Sequence, residues 1–429
     1  MAQLSDDCFA FSGPLLPLDE AERMIRERVE PVRETETIPL GVACGRVVAH
    51  DVLAPLDLPP FDNSAVDGYA VRHADLRAGG ETRFALTERI AAGHTATRSV
   101  AAGEAMRIFT GAPMPAGADT VFMQEDCRRE DGAVVVPPGL TPGANRRLVG
   151  EDLRAGSVML PAGRRLSVAD VALGAAVGLT TLPMRRRVRV AIFSTGDEIV
   201  DPGGPRPAAA LYDANRFLLA GLVEHLGAAA TDLGILPDDR KRLAHAIAMA
   251  AADHDLVLTS GGVSTGEADH VRHAVESVGR LVFWRVGIKP GRPVAMGVIG
   301  AKPANRAGNG QAAAFMGLPG NPVAVFVTFV RVVRPLILQL AGAQPSPLIA
   351  LPVRAAFAYR KRKGRREYVR VRLERTPEGT LQAIKHPQDG AGVLTSLTET
   401  DGLVELGDEI TTVEPGASVD FFPYAVLIA

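Results

Sequence analysis

The stretch that decides the fold is SGGVSTGEAD, residues 260–269, which joins a strand pattern to a helix pattern through a glycine-rich turn. An apolar run at 255–259 precedes it, and a helical pattern starts at about Ala268. Glycines let the backbone approach a ligand closely, and the N–H groups at a helix N-terminus attract anions. Glu267 and Asp269 add carboxylates, which suit a divalent cation beside a phosphate. The stretch predicts a phosphate and metal site, with a plain tight turn as the alternative.

The segment around this stretch alternates strand and helix patterns. Strand patterns lie at 188–193, 231–236 and 255–259. Helix patterns lie between them at 214–226 and 238–252, and a long helix pattern lies at 322–341. Such alternation favours a doubly wound, mostly parallel α/β sheet with helices on both faces. Ligand sites in these sheets form at the carboxyl ends of the strands.

The remaining sequence predicts further domains, because 429 residues are too many for one core. Short strand patterns between Pro and Gly turns indicate a β insert, and two helical patches flank it. In the second patch, Ser167 and Asp170 have the spacing of a capping box. We expect a helical linker domain (1–45 and 148–183), a β insert domain (46–147), an α/β domain (184–342) and a C-terminal β domain (343–429).

The composition is that of a soluble globular protein, with 47% hydrophobic and 22% charged residues. Lys and Arg number 47 and Asp and Glu number 49, so the net charge of −2 does not favour a nucleic-acid partner. The basic run at 360–366 is interpreted as a solvated face. No signal peptide and no apolar run of about 18 residues is visible, so we expect a cytoplasmic protein with no membrane partner. The three cysteines lack metal-type spacing.

Two further turns carry candidate anion-binding residues. The turn GIKPGRP at 287–293 places Lys289 and Arg292 three residues apart, which suits a phosphate or another oxyanion. The turn GLPGNP at 317–322 leads from a strand to a helix, with Asn321 as a plausible N-cap. Together with residues 260–262, these turns predict a rim that binds a polyanion. A solvated turn and a structural turn are the respective alternatives.

Several carboxylates fall at the predicted strand ends. Asp197 and Glu198 follow the first strand of the α/β domain, and Asp213 and Asn215 begin the next helix. Carboxylates in these places can hold Mg²⁺ together with phosphate oxygens. Capping is the alternative for Asp213, and we expect one of Asp238 and Asp239 to cap the following helix.

The β insert contains an unusually polar loop, FDNSAVDGYA at 61–70, for which Asx-turn chemistry is the alternative. Together these motifs resemble the molybdopterin molybdenumtransferases, the MoeA family related to the E domain of gephyrin. The resemblance runs in order from about residue 15 to 342 and rests on residues 62–70, 110–113, 150–152, 194–198, 260–264, 288–291 and 318–322.

The resemblance implies an elongated homodimer of four-domain subunits, in which the α/β domain binds molybdopterin and the C-terminal domain is a small β-barrel. It implies a cytoplasmic transferase of molybdenum cofactor biosynthesis. This enzyme inserts molybdate into adenylylated molybdopterin, with Mg²⁺ as cofactor, and releases AMP. Possible protein partners are a molybdopterin adenylyltransferase and downstream proteins that handle the cofactor.

The resemblance also implies roles for individual residues. The implied metal ligands are Asp197, Glu198 and Asp269. The implied molybdopterin-binding residues are Ser194, Thr195, Gly196, Gly261, Gly262, Ser264, Pro319, Gly320 and Asn321. The implied catalytic residues are Asp62, Asp67, Thr110, Asp152, Glu198, Asp269, Lys289 and Arg292, of which the first four come from the partner subunit.

The sequence departs from the family pattern in three places. Arg292 stands where many relatives have lysine, His270 stands where an aromatic residue is usual, and the loop at 301–314 looks longer and is expected to be peripheral. Two other classes of function remain open. An adenylyltransferase-like or nucleotide-hydrolysing enzyme would lack the insert at 46–147. A non-catalytic dimeric scaffold would not need the metal-binding acids.

Overall fold

The structure is a computed structural model that describes residues 15–263, 270–300 and 312–428. The chain divides into two compact units. The insert unit comprises Thr37–Cys44 and Val48–Pro183. The main unit comprises the described parts of Met1–Glu36, Gly45–Val47 and Met184–Ala429.

The first part of the chain, up to Arg185, contains mostly short strands. The helices there are α1 (Leu18–Arg28) and α2 (Val168–Ala176), and 3₁₀ turns lie at Leu40–Val42, His73–Asp75 and Gln124–Asp126. The strands are β1 (Thr35–Pro39), β2 (Val52–Leu53), β3 (Asn63–Ser64), β4 (Gly68–Val71), β5 (Thr82–Ile90), β6 (Glu104–Ile108), β7 (Thr120–Met123), β8 (Arg128–Glu130), β9 (Ala133–Val136), β10 (Arg146–Arg147), β11 (Val158–Leu160) and β12 (Thr181–Arg185).

The second part, from Arg189, alternates strands and helices before it becomes all-β. The helices are α3 (Asn215–His225), α4 (Arg240–Asp253), α5 (His270–Val278), α6 (Pro322–Thr328), α7 (Arg334–Leu340), α8 (Thr395–Thr398) and α9 (Tyr424–Ile428). The strands are β13 (Arg189–Thr195), β14 (Ile199–Val200), β15 (Leu211–Tyr212), β16 (Ala229–Leu236), β17 (Leu256–Ser260), β18 (Gly279–Arg285), β19 (Ile288–Lys289), β20 (Pro293–Ile299), β21 (Ala313–Leu318), β22 (Leu351–Ala355), β23 (Tyr359–Arg360), β24 (Arg366–Arg375), β25 (Leu381–Lys385), β26 (Gly402–Leu406), β27 (Thr412–Val413) and β28 (Ser418–Pro423).

The insert unit is built around a six-stranded sheet in the order β7-β4-β6-β5-β9-β8. Alternate side chains of β4, β5 and β6 enter different hydrophobic clusters. Tyr69 and Phe84 belong to one, whereas Ile90 and Met106 belong to the other. Because successive side chains of a strand point to opposite faces, both faces of this sheet are covered. The predicted β insert is therefore present.

The main unit contains a six-stranded sheet in the order β16-β13-β17-β21-β20-β18. The first four strands run parallel, and β20 and β18 are antiparallel. Side chains of β13 alternate between two cores: Ile192 packs with Leu219 of α3, and Phe193 packs with Ile247 of α4. Helices thus cover both faces, which confirms the predicted doubly wound, mostly parallel α/β fold.

The predicted long helix at 322–341 is interrupted by a π-helical turn, Phe329–Val333, between α6 and α7. Pro335 has no N–H to donate to the carbonyl four residues before it, which disturbs regular α-helical bonding at this point. Pro322–Leu340 is long and apolar enough to cross a membrane by composition, but 78% of its most apolar window is buried inside the fold. Its apolar character therefore reflects its place in the core.

The C-terminal strands form a closed ring. β24 pairs with β25 and β26, and β22 and β28 complete the circuit. This confirms the β-barrel. Its basic run makes contacts within the barrel, because Lys361 donates to the carbonyl of Ile410 at 2.8 Å and Lys363 pairs with Glu409 at 2.6 Å.

The structure also confirms two local predictions from the sequence. Ser167 and Asp170 form a reciprocal capping box at the start of α2. Asp239 is the N-cap of α4, where its side chain accepts a hydrogen bond from the N–H of Arg242 at 2.9 Å. Its neighbour Asp238 is not the capping residue of this helix.

Candidate active site

Three polar turns meet at one edge of the α/β sheet. Strands β13, β17 and β21 are parallel neighbours, and Ser194, Ser260 and Leu318 lie in register at their carboxyl ends. The turns that follow these strands begin at Gly196, Gly261 and Pro319. The N–H of Gly261 donates to the carbonyl of Leu318 at 3.1 Å, so two of the turns are joined directly. The structure thus brings two turns of the predicted rim, those at 260–262 and 317–322, together with the turn after β13.

The glycines in these turns are required by close backbone packing. Gly261 and Gly262 have φ angles of +87° and +66°. A Cβ on Gly261 would lie 2.6 Å from the carbonyl oxygen of Thr195, and a Cβ on Gly262 would collide with Val271. Gly196, with φ +142°, lies against the carboxylate of Glu198. Packing alone accounts for these glycines, so the case for a ligand depends on the polar groups around them.

Several buried polar atoms at this sheet edge have no hydrogen-bond partner among the described residues. They are Ser194 Oγ, Thr195 Oγ1, Asp213 Oδ2, Asn215 Oδ1, Asp238 Oδ1 and Thr259 Oγ1. Buried polar atoms are normally paired, so a group of unpaired ones at the carboxyl ends of parallel strands is typical of a polar ligand site.

Asn215, at the start of α3, links two of the three turns. Its Nδ2 donates to Ser260 Oγ at 2.8 Å and to the carbonyl of Gly320 at 2.7 Å. Both amide hydrogens are therefore used for positioning. The sequence shows this residue only as an Asn near a helix start, which does not reveal that it bridges distant turns.

The carboxylates of this region interact electrostatically. Burial raises the pKa of Asp238, the negative charges of Asp197 and Glu198 raise it further, and His270 opposes them. Within 15–263, 270–300 and 312–428, no three His, Cys, Asp or Glu side chains are close enough to form a metal site on their own. Mg²⁺ commonly uses one or two carboxylates together with phosphate oxygens, so these acids fit such a site.

Asp213 has a structural role. Its Oδ1 accepts a hydrogen bond from the N–H of Arg216 at 3.1 Å, which is the capping contact that the sequence offered as the alternative. The buried guanidinium of Arg216 also pairs with Asp201 and Asp232. Asp201 belongs to the segment that follows Glu198, so Arg216 anchors this segment to α3.

The turn with Lys289 and Arg292 lies between the sheet and the barrel. Strand β19 pairs with β24 and places Lys289 beside Glu367. Lys289 Nζ lies 3.6 Å from Glu367 Oε2, and the same buried carboxylate accepts from Tyr359 Oη at 2.8 Å and pairs with Arg365 Nε at 2.7 Å. Burial, followed by the charge of Glu367, raises the pKa of Tyr359.

A cavity of about 280 Å³ opens beside this turn. Its walls include Lys289, Arg292 and Arg370 as cations, Asn321 from the third turn, and Asp389 as a carboxylate. The Nε atoms of Arg292 and Arg370 are buried without a partner among the described residues. An excess of cations with unused N–H donors makes the cavity suitable for a small anion.

Four of the predicted site residues lie in the insert unit. Asp67 Oδ1 accepts hydrogen bonds from the N–H of Thr110 at 2.8 Å and from its hydroxyl at 2.7 Å. The Thr110 N–H has the largest effect in lowering the pKa of Asp67, followed by the Thr110 hydroxyl. The structure therefore joins the loops at 61–70 and 110–115 through this pair.

Asp62 and Asp152, also in the insert unit, have separate partners. Asp62 Oδ1 accepts from the N–H of Val149 at 2.7 Å, and its other oxygen pairs with Arg146. The Val149 hydrogen bond has the largest lowering effect on the pKa of Asp62, which Arg146 lowers further while burial opposes them. The N–H of Asp152 donates to the carbonyl of Leu58 at 3.0 Å, and its side chain is exposed.

The predicted residues thus fall into two sets, one in each unit. Turn chemistry explains other polar groups of the 61–70 loop, because Ser64 bonds to the backbone of Val66 and Asn63 donates to the carbonyl of Phe61. Ser264, Asp269 and most of the 301–314 loop lie outside the described residues.

Three family models match the chain along most of its length. They are the MoeA N-terminal region (domain I and II) at 16–178, the probable molybdopterin binding domain at 191–339, and the MoeA C-terminal region (domain IV) at 352–424. The chain is also 34% identical to the molybdopterin molybdenumtransferase of Haemophilus influenzae, over 96% of this chain and 100% of that one.

The chain belongs to the molybdopterin molybdenumtransferase (MoeA) family. The enzyme of the same name from a Nostoc species is 39% identical over 73% of this chain and 71% of its own length. A solved structure of the MoeA protein from Pyrococcus horikoshii has a TM-score of 0.79 and 28% identity, and the match covers 96% of this chain and all of that chain. The predicted family, fold class and enzyme class, a transferase, are confirmed.

Sequence reasoning missed several residues that the MoeA fold brings to these turns. Asp238 was recognised only as one of two possible caps, and Asn215 only as part of a helix start. Glu367 and Arg370 come from the barrel and belong to no motif. In the sequence they appear only as charged residues that interrupt an apolar strand pattern at 366–375, and their burial is visible only in the structure.

Proposed function

We propose that the chain carries out the reaction after which its family is named. Molybdate is inserted into the dithiolene of adenylylated molybdopterin, the phosphoanhydride is cleaved, and AMP leaves. The observation that carries the proposal is the cation-rich cavity beside three polar turns at the carboxyl ends of β13, β17 and β21. A small dianion such as molybdate and a larger phosphate-bearing substrate require neighbouring sites of this kind.

The three turns are the proposed molybdopterin site. Gly261, Gly262 and Ser264 would hold the phosphate of the pterin, while the turns at 194–196 and 319–321 would form the walls. The unpaired hydroxyls of Ser194 and Thr195 support this assignment, because a bound phosphate offers acceptor oxygens to such donors.

Lys289 and Arg292 are proposed to attract molybdate and the pyrophosphate group. Arg370 contributes a third cation to the cavity and is fixed by hydrogen bonds to the carbonyls of Gln388 at 2.7 Å and Gly390 at 3.4 Å. An ion pair with Glu367 fixes the position of Lys289. Fixed cations stabilise developing negative charge without the cost of reorganisation.

Asp197, Glu198 and Asp269 are the proposed Mg²⁺ ligands. We add Asp238 to this set, because its carboxylate interacts electrostatically with those of Asp197 and Glu198. A bound Mg²⁺ would neutralise phosphate charge and fix its orientation. Burial is the largest cause of the raised pKa of Asp238, and the negative charges of Asp197 and Glu198 add to it. A bound metal would relieve this added negative charge.

We further propose that the chain acts as a cytoplasmic homodimer in which Asp62, Asp67, Thr110 and Asp152 serve the site of the partner subunit. Exposed apolar side chains on the insert unit support an interface, among them Val168 at 77% and Leu53 at 53% exposure. We propose four domains with the boundaries that the sequence predicts. We also propose contacts with an adenylyltransferase or a cofactor-handling protein.

The proposed function is tested by reconstitution. Purified protein, adenylylated molybdopterin, Mg²⁺ and molybdate are combined and added to an apo-molybdoenzyme. We expect the apoenzyme to gain activity only when all components are present. If no activity appears although the substrate is shown to bind, the transferase assignment is wrong.

A further inference from the structure

A single buried guanidinium at the start of α3 joins three segments of the α/β domain. Arg216 is surrounded by three carboxylates, and only 5% of its side chain is exposed. It pairs with Asp201, and its Nε lies 3.2 Å from Asp232 Oδ1 and 3.6 Å from Asp213 Oδ2. A charge that is withdrawn from water is costly to separate from its partners. Arg216 is therefore a fixed point for the segments that supply these acids.

The three carboxylates come from different elements of the main unit. Asp213 lies directly before α3, and Asp232 belongs to β16. Asp201 follows β14, in the segment at 197–212 that also carries two of the proposed metal ligands, Asp197 and Glu198. The guanidinium thus links this segment to a strand and a helix of the α/β fold.

Strand β16 has an irregularity that brings Asp232 to the guanidinium. Ile192 and Ser194 of β13 pair with Asp232 and Ile235, so β16 contains one extra residue at this point. Gly234 lies in this bulge with a φ of +76°, and its N–H donates to Asp232 Oδ1 at 2.8 Å. A Cβ on Gly234 would lie 3.4 Å from Arg216 Nη1. Bulges of this kind redirect a side chain and are common next to active sites.

The segment at 197–212 has few contacts that could hold it in place without Arg216. It folds back on itself, because the N–H of Leu211 donates to the carbonyl of Glu198 at 2.7 Å and β14 pairs with β15. Each of these strands has only two residues, and both residues of β15, Leu211 and Tyr212, are exposed. The ion pair between Asp201 and Arg216 is therefore a main attachment of this segment to α3.

We propose that Arg216 is a positioning residue for the Mg²⁺ site. Through Asp201 it fixes the main chain that carries Asp197 and Glu198, and it does so without touching the ion. Mg²⁺ requires a nearly ideal octahedral arrangement of oxygen ligands, so a displaced carboxylate lowers the affinity for the ion. The inference rests on the proposed function, because that reaction is the one that the metal serves.

The test measures binding of Mn²⁺ to the full-length protein by electron paramagnetic resonance, since Mn²⁺ takes the same oxygen ligands as Mg²⁺. The variant is Asp201→Ala, and Asp232→Ala is the matched control. Each substitution removes one exposed carboxylate from the same guanidinium, but only Asp201 lies in the segment with Glu198. Glu198→Ala serves as the reference that locates the measured ion.

We expect Asp201→Ala to raise the Kd for Mn²⁺ at least about fivefold, because the segment loses its attachment. Asp232→Ala should raise it less than about twofold, because Arg216 keeps its pairs with Asp201 and Asp213. Asp201→Asn, which retains an oxygen for the guanidinium, should give an intermediate Kd. Glu198→Ala should weaken Mn²⁺ binding most.

Turnover measured against Mg²⁺ concentration separates positioning from a loss of folded protein. Asp201→Ala should need more Mg²⁺ for half-maximal turnover and regain wild-type kcat at saturating Mg²⁺. An effect on folding alone would lower turnover at every Mg²⁺ concentration and leave the midpoint unchanged, which would contradict the positioning role.

Equal Kd values for Mn²⁺ in Asp201→Ala and Asp232→Ala would also overturn the inference, as would Mn²⁺ binding that Glu198→Ala leaves unchanged. Activation of an apo-molybdoenzyme by the wild type is measured in parallel. If activation succeeds while Mn²⁺ binding does not depend on Asp201, the positioning role fails alone. If Mn²⁺ binding depends on Asp201 but no activation occurs, the proposed function fails and the positioning role remains.

Discussion

Asp238 and Asp239 are adjacent and chemically identical, yet the structure gives them different roles. Asp239 caps α4, and the Arg242 N–H lowers its pKa most strongly. Asp238 has one oxygen buried without a partner among the described residues, and burial together with nearby acids raises its pKa. The sequence predicts that one of the pair caps the helix. It does not indicate which one, because that choice depends on the residue at which α4 begins, and the structure places this start at Arg240.

This difference gives a paired prediction. Asp238→Asn should lower kcat at least about tenfold with little change in the free energy of unfolding, because it removes a charge from the proposed metal site. Asp239→Asn should leave kcat per folded molecule unchanged, because it only alters a cap. Steady-state turnover and urea unfolding of both variants check the assignment. Equal loss of turnover in the two variants would contradict it.

Asp67 gives a prediction for acid stability. The Thr110 donors lower the pKa of Asp67 in the folded protein, so this carboxylate is protonated more readily in the unfolded chain than in the folded one. The carboxylate therefore stabilises the fold above its ordinary pKa of about 4, and this contribution is lost as the pH falls through the lowered value.

We expect wild-type protein to be more stable than Asp67→Asn at pH 6, and the difference to shrink as the pH approaches 3. Urea unfolding across this range measures it. A difference that stays constant with pH would show that the Thr110 hydrogen bonds do not depend on the charge of Asp67.

The turns that follow β13, β17 and β21 are the elements on which the site depends. Their positions are predictable, because strand and helix patterns alternate and glycines mark the junctions. The alternation of Ile192 and Phe193 between two cores also follows from the period of a strand. The π-helical turn at Phe329–Val333 is not predictable from the sequence, because an apolar run with an internal proline also fits a regular helix with a kink.

The close packing of the turn after β17 gives a prediction for stability. Gly262→Ala should lower the free energy of unfolding by about 1–3 kcal/mol, because a Cβ at φ +66° would collide with Val271 and approach Thr195 Cγ2 to 2.7 Å. Gly320→Ala is the matched control, since a Cβ there meets nothing within 4 Å. Equal stability of Gly262→Ala and the control, measured by urea unfolding, would show that this turn is not held as described.

For the whole molecule, family motifs predict the order of the domains, but they do not predict contacts between residues that are far apart in sequence. Lys289 was recognised by its turn. Its partner Glu367 and its neighbour Arg370 were not, because the pairing of β19 with β24 joins segments far apart in sequence. The same holds for Asn215, whose contacts reach Ser260 and Gly320.

The proposed homodimer gives a prediction at this scale. Glu198→Ala and Asp67→Ala should each fold and lose turnover. If each site combines both subunits, unfolding and refolding a mixture of the two variants should restore roughly a quarter of wild-type turnover, because half of the dimers are mixed and each has one intact site. Turnover no greater than that of the separate variants would contradict a shared site.

The central claim is that this chain couples cleavage of the phosphoanhydride to the insertion of molybdate. The most direct measurement is AMP release from adenylylated molybdopterin, with and without molybdate, set against the amount of apo-molybdoenzyme activated. We predict that AMP appears only with molybdate and in about equal amount to the cofactor formed. AMP release at the same rate without molybdate would identify a nucleotide-hydrolysing enzyme and contradict the account.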